Sequence, residues 1–189
     1  MRRSTPTLAL TGTRLAELTK SASHGRIGEA AVFAKCWMHG IPAYNTGGLR
    51  ANFAGSDLIV ETGNVRRKLW VQVKTGAPIL KDHVYFTQCA SDAELTTDKF
   101  QSDFVVFVNL DLKAAKSHTH DGGLDFNALS YYVVPSKDAN RLYREALTAW
   151  AAKPKRDGGV RKLSNMAVHV PAPLMVGYKN AWGQLKEAK

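Results

Sequence analysis

Lys68-Leu69-Trp70-Val71-Gln72-Val73-Lys74-Thr75 is the stretch from which the fold is read. Leu69, Val71 and Val73 alternate with Trp70, Gln72 and Lys74, the period of two that a β-strand imposes. Gln72 and Lys74 therefore share one face, and Val71 and Val73 the other. Upstream, Gly55-Ser56-Asp57-Leu58-Ile59-Val60-Glu61 reads as another strand, with Thr62-Gly63-Asn64 as the turn that joins the two into a hairpin. Pro42 to Leu49 is a weaker strand before them. Earlier still, Ser23 offers an N-cap, and Ile27 to Met38 runs unbroken until Gly40 and Pro42, so the spacing predicts a helix. Ile27, Ala30, Ala31, Ala34, Trp37 and Met38 make an apolar stripe along it. Val32, Phe33 and Cys36 occupy the other side, which predicts a helix buried on two faces. Gly25 and Gly28 strip its first turns of bulk and let another backbone or a ligand approach.

Downstream, the continuous apolar run Phe104 to Leu110 suits an interior strand, and Ser130 to Val134 repeats that character until Pro135. Lys113 to Asn127 reads as a long polar loop, Asp138 to Trp150 as a second helix, and Pro173 to Lys186 as a short closing helix. The second helix carries Ala139, Leu142, Tyr143, Ala146, Leu147 and Trp150 on one stripe. Thr13 to Lys20 can make two helical turns inside a Ser/Thr-containing lead-in over residues 1–22. With 189 residues and no internal repeat, one domain is the expectation: a core over 23–152, and a basic extension over 153–189 packed on it. The element order gives an α/β or α+β class with a mixed sheet.

The chain carries 26 Lys and Arg against 16 Asp and Glu, a formal charge of +10. Such a field attracts nucleic acid or another polyanion. The acids concentrate between residues 82 and 136. Between Thr19 and Lys81 only Glu29, Asp57 and Glu61 are acidic, in a region otherwise rich in Arg and Lys. No apolar run approaches the roughly 18 residues of a membrane span, and the N-terminus has no signal-peptide core, so no membrane partner and a cytoplasmic location are expected. Cys36 and Cys89 lack zinc-motif spacing and read as reduced, small apolar side chains.

Glu29 is the sole acid from His24 to Gly40, on a helix whose apolar surface requires it to pack on the sheet. Asp57 opens a hairpin strand, and Gln72-Val73-Lys74 lies on the strand paired with it. A carboxylate in such a place is costly unless paired, hydrogen-bonded or bound to metal. This ordered set resembles the PD-(D/E)xK nuclease superfamily, the restriction-endonuclease-like fold with its αβββαβ core and central mixed sheet flanked by helices. The motifs cover residues 23–76, and the element order extends the likeness to about residue 150. Ser56 stands where the family name has Pro, and Gln72 where the pattern most often has Asp or Glu. The Gln-x-Lys branch, which includes homing and restriction endonucleases, is the most similar. The resemblance implies a Mg²⁺-dependent endonuclease acting on DNA, with Mn²⁺ as a substitute, of restriction, homing or junction-resolving type. It implies Glu29, Asp57, Gln72 and Lys74 as catalytic residues, and it leaves room for a homodimer. The alternative is a catalytically silent DNA-binding or scaffolding protein of the same fold.

Phosphodiester hydrolysis needs an activated water and a counter-charge for the phosphoryl oxygens, and a carboxylate-held divalent cation supplies both. Mg²⁺ prefers oxygen ligands and keeps waters, so one or two carboxylates suffice. Asp57 would be the main ligand, flanked by the Gln72 side-chain carbonyl and the Val73 main-chain carbonyl, with Glu29 bound directly or through water. Lys74 would orient or deprotonate the water, or neutralise charge on the phosphate. In the competing structural reading, Asp57 caps a turn, Gln72 and Lys74 are solvated, and Glu29 pairs with Arg26 or Lys35. Candidate phosphate contacts are Arg26, Arg50, Arg66, Arg67, Lys68, Lys153, Lys155, Arg156, Arg161 and Lys162. His118-Thr119-His120-Asp121 is better read as a polar surface loop than as a metal cluster, and Trp70 as core packing rather than a base-stacking platform.

Overall fold

Helix α1 (Ser21–Met38) opens the part of the chain that the computed structural model describes, residues 21–46, 55–63, 67–77, 82–111, 129–154, 158–159, 161–163 and 166–188. It is followed by β1 (Ala43–Asn45), β2 (Leu58–Glu61), β3 (Lys68–Gly76), β4 (His83–Cys89), a 3₁₀ turn at Asp92–Leu95 and β5 (Phe104–Leu110). Then come β6 (Leu129–Pro135), α2 (Ser136–Ala151), β7 (Met166–Pro171), a second 3₁₀ segment at Ala172–Tyr178 and α3 (Gly183–Glu187). The class is α+β, with a mixed five-stranded sheet in the order β1-β2-β3-β5-β6 and a two-stranded sheet β4-β7. β1, β2 and β3 form an antiparallel meander, β3 pairs with β5 in parallel, and β6 returns antiparallel to β5. Where αβββαβ places a helix between the third and fourth strands, the described residues form β4 and a 3₁₀ turn; the second long helix follows β6.

β5 organises the layers because all seven of its residues are buried, as a continuous apolar run with both faces covered requires. Val106 and Val108 point into one core with Val71 and Val73 of β3, Ala31, Val32 and Cys36 of α1, and Trp182 and Leu185 near the C-terminus. Val105 and Phe107 point into the other, with Leu142, Tyr143 and Leu147 of α2 and Val84, Phe86, Val168 and Val170 of the small sheet. Asn109 is the buried polar residue of the strand, and it is satisfied. Its Oδ1 accepts the Tyr85 N–H at 3.2 Å and its amide donates to the His83 carbonyl at 3.5 Å, tying β4 to β5.

α1 departs from the expectation of two buried faces. Ala31, Val32 and Cys36 are buried, but Ala30 and Ala34 are exposed, and Trp37 and Met38 are 50% and 75% exposed. Close approach chose the face. A Cβ on Gly28 would lie 1.7 Å from the Thr75 hydroxyl oxygen and 2.9 Å from its Cβ, so α1 lies directly on β3 there. The helix ends at Gly40, whose φ of 67° suits glycine, with the Ile41 N–H returning to the Cys36 carbonyl at 2.8 Å. Gly28→Ala should therefore destabilise by about 1–3 kcal/mol by overpacking, despite the roughly 1 kcal/mol that Ala adds to a helix interior. Urea unfolding midpoints check this, with Thr75→Ala in the same chain expected to recover part of the loss.

The lead-in to residue 20, the Lys113–Asn127 loop with its His118-Thr119-His120-Asp121 run, Asn64, and Arg50, Arg66, Lys155 and Arg156 lie outside the described residues. The expected closing helix over Pro173–Lys186 is two pieces. They are separated at Asn180, whose φ of 53° takes it out of helical geometry.

Candidate active site at the end of β2

β2 is shorter than β3, and the site forms where it stops. Asp57 immediately precedes Leu58, the first residue of β2, and three contacts fix it. Its N–H donates to the Val71 carbonyl at 2.9 Å, its carbonyl accepts the Thr46 N–H at 3.0 Å, and its carboxylate Oδ2 accepts the Val73 N–H at 2.6 Å. The last is a short, charge-assisted bond. It takes over the role of the strand neighbour that β2 no longer supplies. Thr46, 3% exposed, also donates its hydroxyl to the Ser56 carbonyl at 2.9 Å, so the chain enters Asp57 from a fixed point. A residue's N–H and C=O leave a strand on the same edge, so the Val73 carbonyl emerges beside the Asp57 carboxylate.

Gln72 and Lys74 stand opposite Val105 and Phe107 of β5, which places them on the α2 face of the sheet. Gly55, with a φ of 86°, lies beside the Gln72 side chain, and a Cβ there would make only ordinary contact with it, 4.0 Å from Nε2. The Gln72 carbonyl Oε1 is buried and has no hydrogen-bond partner among the described residues. An orphaned buried acceptor costs about 1–3 kcal/mol unless water or a ligand completes it.

Glu29 follows Gly28 on α1 and approaches from the opposite face. It does not look across a shared sheet face at Gln72 and Lys74, because α1 packs on the side of Val71, Val73 and Thr75. Asp57 bonds the β3 backbone where, among the described residues, β2 no longer pairs with it, and the charges of Glu29, Asp57 and Lys74 act on one another there. Burial raises the Glu29 pKa above the usual carboxylate value and the Asp57 charge adds to it, while Arg26 and Lys74 oppose. Burial lowers the Lys74 pKa, helped by Lys99, while Asp57 and Glu29 pull it back up. Glu29 and Lys74 make no direct ion pair among the described residues; Lys35, one partner considered for Glu29, lies over the Tyr131 ring at 5.7 Å. Two carboxylates that repel, an ammonium in their field and an unpartnered carbonyl are the kind of perturbed groups that could take a cation.

Among the described residues no three His, Cys, Asp or Glu side chains gather as a metal-binding group. The oxygens that could serve as donors here belong to two carboxylates, one amide and one main-chain carbonyl, a set that would suit Mg²⁺ rather than zinc.

Of the basic residues, Arg26, Arg67, Lys68, Lys153 and Lys162 are exposed. Arg161 is engaged within the fold. It donates to the Lys153 carbonyl at 2.8 Å and the Pro154 carbonyl at 3.3 Å, and it lies over the Trp150 ring at 4.8 Å. Trp70 is half-buried, and its backbone N–H bonds the Asp103 carboxylate at 2.8 Å. Lys99 is the residue near the site that sequence reading passes over. It sits in a polar stretch with no periodicity, and only tertiary structure brings it near Lys74. Burial drives the Cys36 thiol up to about 12, so it is an inert core side chain. No family model, curated protein or solved structure matches this chain.

Proposed function

We propose that the protein is a metal-dependent nuclease of the restriction-endonuclease-like type that hydrolyses phosphodiester bonds in DNA, as an endonuclease. The observation that supports this reading is the Asp57 carboxylate bonded to β3 between Gln72 and Lys74, with the Gln72 carbonyl unpartnered among the described residues and the charges of Glu29, Asp57 and Lys74 acting on one another. The helix–hairpin order and the mixed sheet support it. Glu29, Asp57, Gln72 and the Val73 carbonyl would hold Mg²⁺ or Mn²⁺. When bound, such an ion supplies a water of lowered pKa and a counter-charge for the phosphoryl oxygens. Asp57, pinned by Val73, presents its remaining oxygen lone pairs without reorganising. Glu29 would bind the ion directly or through water. Lys74, with its charge partly desolvated, is placed to orient the attacking water and to balance charge on the phosphate. Exposed Arg26, Arg67 and Lys68 on the surrounding elements suit a polyanionic backbone.

A second reading, a silent DNA-binding or scaffolding protein, is favoured by one feature: Gln72 removes a negative charge from the set and weakens its hold on a cation. Incubation of purified protein with supercoiled plasmid, linear DNA and a branched junction, in Mg²⁺, Mn²⁺ or EDTA, separates the two. The nuclease reading expects cutting that needs the cation; binding without cutting in either cation supports the silent protein.

No helix among the described residues is long and apolar enough to cross a membrane.

A further inference from the structure

We infer that Lys99 is a second phosphate-binding cation of this site, contacting the DNA backbone beside the bond to be cut. The inference rests on the nuclease reading and adds a substrate contact to it. Lys99 follows the 3₁₀ turn Asp92–Leu95, in the crossover from β3 to β5. Its backbone position is fixed from the next residue, for Asn140 of α2 grips both main-chain groups of Phe100. The Asn140 Oδ1 accepts the Phe100 N–H, and its amide donates to the Phe100 carbonyl, each at 2.9 Å. The Phe100 ring, 2% exposed, packs edge-on against Phe107 at 5.7 Å and Tyr143 at 5.8 Å. Phe107 stands opposite Lys74 across the β3–β5 pairing. This chain of contacts carries Lys99 to the face on which Gln72 and Lys74 lie, close enough for its charge to act on the Lys74 ammonium.

The side chain is aimed as well as placed. Its Nζ donates to Glu94 Oε1 at 2.9 Å. Glu94 is itself held by the Ala90 N–H at 3.1 Å and by the Tyr143 hydroxyl on Oε2. An ammonium has three donors, and Glu94 takes one. With 24% of the Lys99 side chain still exposed, the remaining donors can reach a ligand. Two like charges held near each other in a partly buried place oppose one another, and an anion between them removes the opposition. On the nuclease reading, the anion brought to this face of the sheet is a diester phosphate, which the Lys99 donors that Glu94 does not take could meet beside Lys74.

The test uses the full chain, as wild type, Lys99→Ala, Lys99→Gln, Lys99→Arg and Glu94→Gln. Binding to a short blunt-ended duplex in EDTA is measured against salt, and plasmid cleavage is measured in Mg²⁺ and Mn²⁺. Lys99→Ala and Lys99→Gln should lower the magnitude of the log–log salt slope by about 1 and reduce kcat/KM roughly tenfold, mainly through KM. Lys99→Arg should restore both, and Glu94→Gln should fall between. Lys99→Gln keeps a donor for Glu94, so it reports the lost charge even if Lys99→Ala unfolds. A salt slope and KM equal to wild type in Lys99→Gln would overturn the inference and leave Lys99 as a clamp for Glu94. A lowered slope with unchanged kcat/KM would place the contact away from the site and overturn it too. If wild type cuts in neither cation, the nuclease reading fails by itself; the salt slope then still decides whether Lys99 meets phosphate.

Discussion

Asp57→Asn is expected to leave the fold intact and to reduce cleavage by at least about 10²–10³-fold, the loss that follows removal of one preorganised electrostatic group. Asparagine keeps an oxygen where Oδ2 accepts the Val73 N–H at 2.6 Å, so the edge of β3 stays capped. What it removes is the charge. Asp57→Ala removes both, and should add a stability loss of about 1–3 kcal/mol by leaving the Val73 N–H without its acceptor. The pair of variants separates the two jobs of one side chain. Equal stability in Ala and Asn would mean that the Val73 bond contributes nothing. Unchanged cleavage in Asn would mean that the Asp57 charge plays no part in the chemistry. Neither change should weaken DNA binding in EDTA, because that affinity comes from basic residues elsewhere.

Lys74→Met should lower turnover on a similar scale, on the order of 10²–10³-fold, and at neutral pH it should make the protein more stable. Lys74 has a pKa below its ordinary value because burial disfavours the ammonium. Between that lowered pKa and the unfolded value near 10.5, the unfolded chain binds more protons than the folded one, so wild-type stability rises with pH through the window. Below the window the cost of burying the charge is felt in full. The Met variant should therefore gain most at neutral pH, and its advantage should fade as the pH approaches 10.5. Glu29→Gln has the opposite dependence. The Glu29 pKa is raised by burial and by Asp57, so wild-type stability falls as pH rises through the raised pKa; the Gln variant gains at neutral pH and loses that gain below about 4.5. Thermal unfolding across pH reads both, at about 2–4 °C per kcal/mol for a chain of this length. If both variants were less stable at every pH, Glu29 and Lys74 would be structural partners rather than functional groups held at a cost.

What was legible in the sequence depended on how local its cause was. β3 and β5 show in the sequence because alternation in Lys68–Gly76 and a continuous apolar run in Phe104–Leu110 are imposed by the faces those residues cover. The stripe of α2 is legible for the same reason, with Ala139, Leu142, Tyr143 and Leu147 buried as spaced. β4 and β7 are not legible, since their partners are remote. His83 pairs with Pro171 and Cys89 with Met166, and a bulge between Tyr85 and Thr87 breaks the alternation that would have marked β4. The choice of face on α1 was lost to a different cause: both sides are apolar, and the contact of Gly28 with Thr75 decides between them.

The candidate site divides in the same way. Asp57, Gln72 and Lys74 could be brought together from strand alternation and one hairpin, because β2 and β3 pair as the turn predicts, Leu58 opposite Val71 and Glu61 opposite Lys68. That Asp57 stands past the end of β2 and caps Val73 is a fact of strand length and carries no local signal. Glu29 is legible as a rare acid in a basic region, but the packing of its helix on the face opposite Gln72 and Lys74 is not. Lys99 is positioned by Asn140, about forty residues away along the chain, through two hydrogen bonds to its neighbour.

The proposed site joins Glu29, Asp57, Gln72 and Lys74 as one metal-dependent phosphodiesterase centre. It is tested most directly by the initial rate of supercoiled plasmid cleavage as Mn²⁺ is titrated into wild type and into Asp57→Asn purified in parallel. The expected wild-type rate rises from nothing in EDTA to saturation, and the expected Asp57→Asn rate is lower by about 10²-fold or more at every Mn²⁺ concentration. Equal rates in the two proteins, or a wild type that never cuts, would contradict it.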